Sequence, residues 1–103
     1  MFSMQALNGV ACINGEFVPA QEATISSFVF LPDPIQIRVG QSVRWTNLDN
    51  VPDGHTVTAS DLSFTSPVLG QGDTYVRTFT QPGTILYFCE PHPFMTAFIE
   101  VQP

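Results

Sequence analysis

The sequence predicts an all-β fold, a β-sandwich of about seven to eight strands. Helical periodicity is missing, and short apolar runs alternate with Gly, Pro, Asn and Asp about every eight to twelve residues, as is typical of sandwiches. Nine prolines and seven glycines favour many turns and few helices. A chain of 103 residues supports one domain with one core. We therefore expect a single domain over residues 1–103, in which 1–20 form a hairpin extension.

The first three strands follow from turn chemistry and residue type. Residues 10–13 and 16–18 flank Asn14-Gly15, a dipeptide that favours a tight hairpin turn. Residues 23–30 are rich in β-branched and aromatic side chains and are predicted as one strand. A proline-rich turn ends this strand, because proline cannot continue the hydrogen-bond ladder of a sheet.

Two strands with strict alternation of apolar and polar residues are predicted next, at 35–39 and 43–47. A period of two places every second side chain on the core face of a sheet. The residues predicted to face inward are Ile35, Ile37, Val39, Val43 and Trp45.

The remaining strands are predicted at 55–59, 74–80, 84–89 and 96–101. A polar loop that contains proline and glycine precedes the first of these four. In the second, Tyr75, Arg77 and Phe79 are predicted to share one side, again because the period is two.

The charge of the chain excludes two classes of partner. The net charge is −6, and the only basic side chains besides the histidines are three arginines. The basic surface that binds nucleic acid is therefore missing, and anionic membranes would repel the protein. We find no apolar run long enough to span a bilayer, and no signal peptide in this numbering. Either a signal was removed or the protein is cytosolic, and the residues leave both open.

The functional signal is the run from Cys89 to Met95, which joins the last two predicted strands. It holds a thiolate, the imidazole of His92 and a thioether, and His55 is the one other histidine of the chain. Copper prefers such a set of soft and borderline ligands. Two histidines and one cysteine in a trigonal arrangement, with a weak axial methionine, form a copper site for electron transfer.

The spacing of these residues suits one-electron chemistry. A short loop between paired strands can direct three side chains at one centre, and Pro91 and Pro93 stiffen that loop around His92. His55 arrives from a separate strand, so the cavity is largely preformed. Because such a site lies between the geometries that Cu(I) and Cu(II) prefer, electron transfer requires little rearrangement.

Cys12 is the second cysteine of the chain, and it has two interpretations. It is a small apolar side chain, or it forms a disulfide with Cys89 that would abolish the metal site. The ligand types around Cys89 favour the first interpretation.

The chain resembles the cupredoxins, small blue copper proteins of the plastocyanin type. The resemblance spans about residues 23–101 and is carried by the segments 39–47, 55–57, 81–84 and 89–95. The last segment, Cys-Glu-Pro-His-Pro-Phe-Met, is most similar to the short ligand loop of amicyanins. The resemblance implies a cupredoxin-like Greek-key β-sandwich with one copper ion near one end. By position it implies as ligands His55, Cys89, His92 and the axial Met95.

Four further residues are singled out by comparison with this family. Asn47 matches an asparagine whose side chain ties the histidine-bearing loop to the cysteine-bearing loop. Asp53-Gly54 is an insertion relative to amicyanins and plastocyanins, and Gly54 resembles the azurin glycine whose carbonyl approaches the metal. Glu90 stands where Ser or Thr is common, and it places a negative charge beside the thiolate.

The expected function is one-electron transfer by a type 1, or blue, copper centre that cycles between Cu(II) and Cu(I), without enzymatic activity. His92 is the expected exit port for the electron. We expect a monomer that docks transiently to redox proteins through a small apolar patch. The residues of that patch are Pro52, Pro91, Pro93 and Phe94. The resemblance implies a periplasmic or other extracytoplasmic location.

Two other functions stay open. The chain could be the redox domain of a larger multicopper enzyme, although catalysis needs a further metal and both histidines are already used. It could also store or deliver copper, which predicts fast metal exchange and no fast electron self-exchange. A metal-free sandwich used for binding is disfavoured, because every expected ligand type is present.

Overall fold

The structure is a computed structural model that describes residues 10–13 and 15–103. These residues form ten β-strands and contain no helix, which confirms the all-β prediction. In the described part of the chain there is accordingly no helix of the length and apolar character that crossing a bilayer requires.

The strands are numbered in chain order. They are β1 (Val10–Ile13), β2 (Glu16–Pro19), β3 (Gln21–Ser26), β4 (Val29–Leu31), β5 (Ile35–Arg38), β6 (Ser42–Asn47), β7 (Thr58–Ala59), β8 (Thr74–Thr78), β9 (Gly83–Phe88) and β10 (Thr96–Gln102).

Two four-stranded sheets make the sandwich. Their strand orders are β4-β3-β6-β8 and β5-β10-β9-β7. Each sheet contains one parallel pair, β3 with β6 and β5 with β10, and the other pairs are antiparallel. From β4 to β9 the chain changes sheet at every connection, so each sheet is assembled from strands that are distant in sequence. This connectivity is typical of Greek-key sandwiches.

The core lies between the two sheets and follows the predicted alternation. Ile35, Ile37, Val43 and Trp45 are buried, as predicted, while Val39 is partly buried and packs against the core. The Trp45 indole N–H donates to the Tyr87 hydroxyl at 3.3 Å, which satisfies both polar groups inside an apolar layer.

One predicted strand is divided in the structure. The prediction of a single strand over 23–30 is wrong, because β3 ends at Ser26 and β4 begins at Val29. Ser27 and Phe28 between them have φ angles of 54° and 61°, which form a tight turn. The β-branched and aromatic residues around this turn favour a continuous strand, and no glycine or proline indicates a turn there. Strand propensity therefore does not predict the break.

The two sheets of the sandwich contain eight strands, which agrees with the seven to eight predicted, and the N-terminal hairpin adds two more. One further difference concerns strand length. The strand predicted at 55–59 is reduced to Thr58–Ala59, and His55 instead makes an isolated bridge with Leu69. This arrangement leaves the His55 side chain free to face a different segment.

The predicted hairpin is present as a separate two-stranded sheet of β1 and β2. Ile13 lies opposite Glu16, and Gly15 has a φ of 80°, as a two-residue turn requires. Asn14, the other predicted turn residue, and residues 1–9 of the predicted extension lie outside the described residues.

A core substitution tests the packing between the sheets. Ile99 is fully buried on β10, which pairs with both β5 and β9. We expect Ile99→Ala to lower the free energy of unfolding by about 2–5 kcal/mol, because apolar contacts are lost and a cavity remains. Urea denaturation of the metal-free protein measures this change.

The matched control is Leu86→Ala on the neighbouring strand, where the side chain is 38% exposed. It should cost about 1 kcal/mol or less. Equal losses for the two variants would contradict the core assignment.

Candidate metal centre

Three side chains from two separate segments meet at one point. The Nδ1 atoms of His55 and His92 lie 3.1 Å apart, and each lies 3.5 Å from Cys89 Sγ. His55 and Cys89 are fully buried, whereas the His92 side chain is 14% exposed. The structure therefore brings together the two histidines and the cysteine that the sequence selects.

The triangle of two nitrogens and one sulfur has the size that one metal ion needs. A point equidistant from the three atoms lies about 2.0 Å from each, and protein nitrogen and thiolate ligands bind a divalent ion such as zinc at about 2.0–2.3 Å. Two imidazoles and one thiolate are also donors that copper prefers. Within the described part of the chain, no other group of three or more His, Cys, Asp or Glu side chains is close enough to hold an ion.

The backbone of the ligand loop closes on itself. His92 N–H donates to Cys89 O at 3.2 Å, and Met95 N–H donates to His92 O at 2.9 Å, so two successive turns bend the chain. Cys89 N–H donates to Met95 O at 3.2 Å and joins the two ends of the loop. Met95 is 3% exposed. The fourth predicted ligand is therefore held inside the protein by the same loop that holds Cys89 and His92.

A carboxylate contacts the far nitrogen of each histidine. His55 Nε2 hydrogen-bonds to Asp49 Oδ2 at 2.9 Å, and His92 Nε2 lies 3.1 Å from Asp53 Oδ2. A carboxylate that accepts the Nε2 proton leaves the Nδ1 lone pair available to a metal. Neither role is predicted from the sequence, in which Asp53 stands out only as part of an insertion. The sequence signal for such a role is an acidic residue shortly before a ligand histidine.

Thr56 joins the two segments that carry the cluster. Its N–H donates to Cys89 Sγ at 3.4 Å, and its hydroxyl accepts a hydrogen bond from Glu90 N–H at 2.9 Å. Burial raises the pKa of the Cys89 thiol, and the Thr56 amide opposes this rise in part. The same amide thus fixes the sulfur in place and stabilises its anionic form.

Asn47 has a different partner from the one that the resemblance implies. Its Nδ2 donates to Leu69 O at 2.8 Å, and its Oδ1 accepts from Asp49 N–H at 2.9 Å. Because Leu69 bridges to His55, Asn47 supports the histidine side of the site. The hydrogen bonds from the histidine side to the cysteine-bearing loop come instead from Thr56.

Glu90 lies at the end of a chain of hydroxyl groups. Its Oε1 accepts from Thr65 Oγ1 at 3.1 Å and from Thr58 Oγ1 at 3.4 Å. Thr58 Oγ1 lies 2.9 Å from Thr56 Oγ1. The carboxylate that the sequence places beside the thiolate is thus tied to the segment that follows His55.

Gly54 is required by the backbone. Its φ is 63°, and an added Cβ would lie 2.6 Å from Val68 Cγ1 and 2.7 Å from Leu69 O. This close approach allows His55 N–H to donate to Leu69 O at 3.1 Å. The structure therefore explains a glycine directly before His55 without any contact between the Gly54 carbonyl and a metal.

Phe94 of the predicted apolar patch lies beside the partly exposed histidine. Phe94 is 72% exposed, and its ring centroid is 6.2 Å from that of His92. The prolines of the predicted patch range from exposed to partly buried and are Pro52, Pro91 and Pro93. Phe28, which is predicted to lie inside a strand, also contacts His92, with ring centroids 4.9 Å apart.

Both cysteines are free thiols. Cys12 lies on β1 and is partly buried, while Cys89 is buried in the cluster. The disulfide between them, the rival to the metal site, is therefore not formed.

Comparison with known proteins agrees with the donor set. The family model of copper binding proteins of the plastocyanin/azurin family matches residues 19–102. Amicyanin-alpha of Methylorubrum extorquens is 33% identical over 86 residues, which cover 79% of this chain and 71% of that protein.

Solved structures show the same fold. The reduced Cu(I) form of an amicyanin mutant aligns with a TM-score of 0.73 and 31% identity, over 81% of this chain and 82% of that one. A Cu-containing nitrite reductase from Thermus scotoductus aligns with a TM-score of 0.76 and 27% identity, over 91% of this chain and 25% of that one. Both similarities confirm the predicted sandwich.

A substitution at Gly54 tests whether the backbone of Gly54 packs tightly against Leu69. We expect Gly54→Ala to lower the free energy of unfolding by roughly 2–5 kcal/mol, because left-handed strain adds to overpacking. Chemical unfolding of the metal-free protein measures the loss.

The control is Gly72→Ala, where φ is also positive, at 86°, but no atom lies within 4 Å of the added Cβ. This variant carries the strain alone, about 1–2 kcal/mol. A Gly54 variant that is no less stable than the Gly72 variant would show that the contact with Leu69 is not tight.

Proposed function

We propose that this chain, which belongs to the plastocyanin/azurin family of copper-binding proteins, transfers single electrons between redox partners. Family membership makes copper the cofactor, and two imidazoles with one thiolate are the donors of a type 1 centre. The observation that carries the proposal is the convergence of the His55 and His92 Nδ1 atoms on Cys89 Sγ, at 3.5 Å each.

The proposed ligands are His55, Cys89 and His92, with Met95 as the weak axial ligand. The proposal is supported by the separations of the first three donor atoms and by the burial of Met95 next to them in the chain. The Gly54 carbonyl is proposed as a further weak contact. Its support is its position directly before His55 and the likeness to azurins.

Bound copper supplies a one-electron couple between Cu(II) and Cu(I). The protein contributes donor atoms whose positions are set by its own hydrogen bonds. The Thr56 amide holds the sulfur, and Asp49 and Asp53 contact the far nitrogens of the two rings. Because the Thr56 and Asp49 contacts are made by groups of the protein itself, they fix the sulfur and the His55 ring independently of the metal, and this keeps reorganisation during electron transfer small.

The partner is proposed to dock at the face where His92 is partly exposed. Phe94 and the prolines of the apolar patch offer the small interface that suits brief redox encounters. Asp53 beside His92 is 58% exposed, and the chain carries a net charge of −6. A redox protein with an apolar centre and a basic rim fits this face.

One observation favours a second function. The nitrite reductase match covers most of this chain but only 25% of that protein, so a domain of this shape also occurs within a larger enzyme. In that case the chain would be the redox domain, because both of its histidines lie in one cluster. We propose that the chain has no enzymatic activity of its own.

We further propose a monomer that works outside the cytoplasm. The support for the compartment is family membership. Fractionation of cells that express the full gene tests the compartment, and sedimentation at several concentrations tests the monomer.

Removal of the thiolate tests the ligand set. Cu(II) added to the purified protein should produce an intense visible absorption, which Cys89→Ser should abolish because the sulfur donor is lost. Cys12→Ser, the matched control, should keep the colour, since Cys12 lies outside the cluster. Absorption spectra of the three proteins decide the point, and a wild type that stays colourless would overturn the proposal.

Electron self-exchange tests both the function and the docking face. Line broadening in mixtures of the oxidised and reduced protein measures the rate. Fast exchange in the wild type is expected for an electron carrier and not for a copper store. Phe94→Glu should slow the exchange at least about tenfold, because an unpaired charge buried at an interface costs more than about 1.4 kcal/mol.

The control for this variant is Val76→Glu, which changes the net charge equally. Val76 is 39% exposed on β8, at the opposite edge of its sheet from β4. Equal slowing by both variants would place the electron exit elsewhere than at His92.

A further inference from the structure

The turn between β3 and β4 is unusual because two ordinary residues adopt left-handed backbone angles in succession. Ser27 and Phe28 have φ angles of 54° and 61°. Bulky side chains rarely occupy this region, and residues that do so are held there by surrounding structure.

Asp49 supplies the restraint on this turn. Its Oδ1 accepts from Ser27 N–H at 2.7 Å, and its Oδ2 accepts from Phe28 N–H at 2.9 Å. The same carboxylate accepts from His55 Nε2 at 2.9 Å. Burial raises the pKa of Asp49. The amides of Phe28 and Ser27, together with His55, lower it by more than burial raises it, so the carboxyl pKa lies below its usual value. One ionised side chain therefore connects the turn to the buried histidine.

The restrained turn places the Phe28 ring against both histidines. Its centroid lies 5.2 Å from that of His55 and 4.9 Å from that of His92, and both pairs are edge-to-face, with interplanar angles of 88° and 82°. The ring also stacks on Phe94, at 6.1 Å and 25°. Phe94 in turn lies 6.2 Å from His92, so Phe28, His92 and Phe94 form a triangle of rings that contact one another.

We propose that Phe28 is a positioning residue of the metal centre: its ring, fixed by the Asp49-bound turn, holds the His92 imidazole in place. The proposal rests on the proposed function, because it assigns His92 as a ligand. Edge-to-face contacts between rings are directional and depend on the aromatic face. They oppose rotation of the His92 imidazole. The ligand loop does not bury this side chain completely, since it is 14% exposed.

The arrangement around the two rings shows why His92 needs this support more than His55 does. His55 is fully buried, and its far nitrogen is bonded to Asp49, a partly buried carboxylate. The far nitrogen of His92 contacts Asp53, which is 58% exposed and free to exchange this contact for water. Phe28, whose ring lies nearer to His92 than that of Phe94 does, is therefore the aromatic contact that keeps the His92 ring in place beside Cys89 and His55.

Three substitutions at one position separate an aromatic role from an apolar one. Phe28→Tyr keeps the ring, Phe28→Leu keeps an apolar side chain without the ring, and Phe28→Ala removes both. The control is Phe98→Ala, where the side chain is 45% exposed and has no ring contact with either histidine among the described residues.

The first measurement is release of Cu(I) from the reduced protein to a chelator. Phe28→Leu and Phe28→Ala should release copper roughly fivefold to tenfold faster, since each loses two edge-to-face contacts, whereas Phe28→Tyr should stay within about twofold of the wild type. Equal release from all four variants and the wild type would overturn the proposal. A leucine variant as slow as the tyrosine variant would also overturn it, because an apolar cover would then suffice.

The second measurement uses the metal-free protein, so it does not depend on copper. The imidazole signals of His92 in nitrogen-15 NMR spectra should broaden or move in Phe28→Leu and stay in place in Phe98→Ala. Unchanged His92 signals in Phe28→Leu would overturn the proposal. Failure of the proposed function looks different, because the wild type and all variants would then stay colourless with Cu(II).

The role of Asp49 is tested by combining substitutions. Asp49→Asn keeps the shape but loses one of the two acceptor oxygens, so the turn should loosen. Each single substitution raises the Cu(I) release rate by some factor over the wild type. If Asp49 acts on His92 through Phe28, the factor for the double variant Asp49→Asn with Phe28→Ala should be smaller than the product of the two single factors. Effects that multiply in full would overturn the link between Asp49 and Phe28.

Discussion

The structure depends on holding three lone-pair donors, two nitrogens and one sulfur, within 3.5 Å of one another. When their lone pairs all point at one centre, such atoms repel one another unless a cation or a proton lies between them, so the protein must keep them together by contacts that point away from the cluster. Hydrogen bonds from the Thr56 amide and to Asp49 do this for Cys89 and His55. The sandwich contributes by joining strands that are distant in sequence, which brings the end of β9 beside His55.

The contacts that hold the donors also set the charge around them. Asp49 and Asp53 contact the two rings, and Glu90 is linked to the segment after His55 through hydroxyl groups. Fixed negative charges nearby stabilise the more positive oxidation state of a bound ion. The same carboxylates therefore favour Cu(II), and under the proposed function they suit a partner with a basic rim.

Local sequence predicts the parts of the site that lie close together in the chain. The run from Cys89 to Met95 and the alternation in β5 and β6 follow from spacing alone, and both are present. Asp49 and Phe28 act across segments, and their roles depend on the parallel pairing of β3 with β6, which periodicity does not reveal. The divided strand is missed because its turn has no glycine, and because its angles are imposed by Asp49, 21 residues further along the chain.

The loop between β6 and His55 shows how one segment meets several requirements at once. Asp49 faces the β3–β4 turn and His55, while Asp53, four residues later, reaches His92. Gly54 then brings the backbone against Leu69, where a side chain would collide. A loop without Asp53-Gly54 would have no carboxylate at Asp53 beside His92. Asp53-Gly54, which the family resemblance predicts to be an insertion relative to amicyanins, therefore contributes to the candidate metal centre, since Asp53 supplies a carboxylate beside the partly exposed His92 ring.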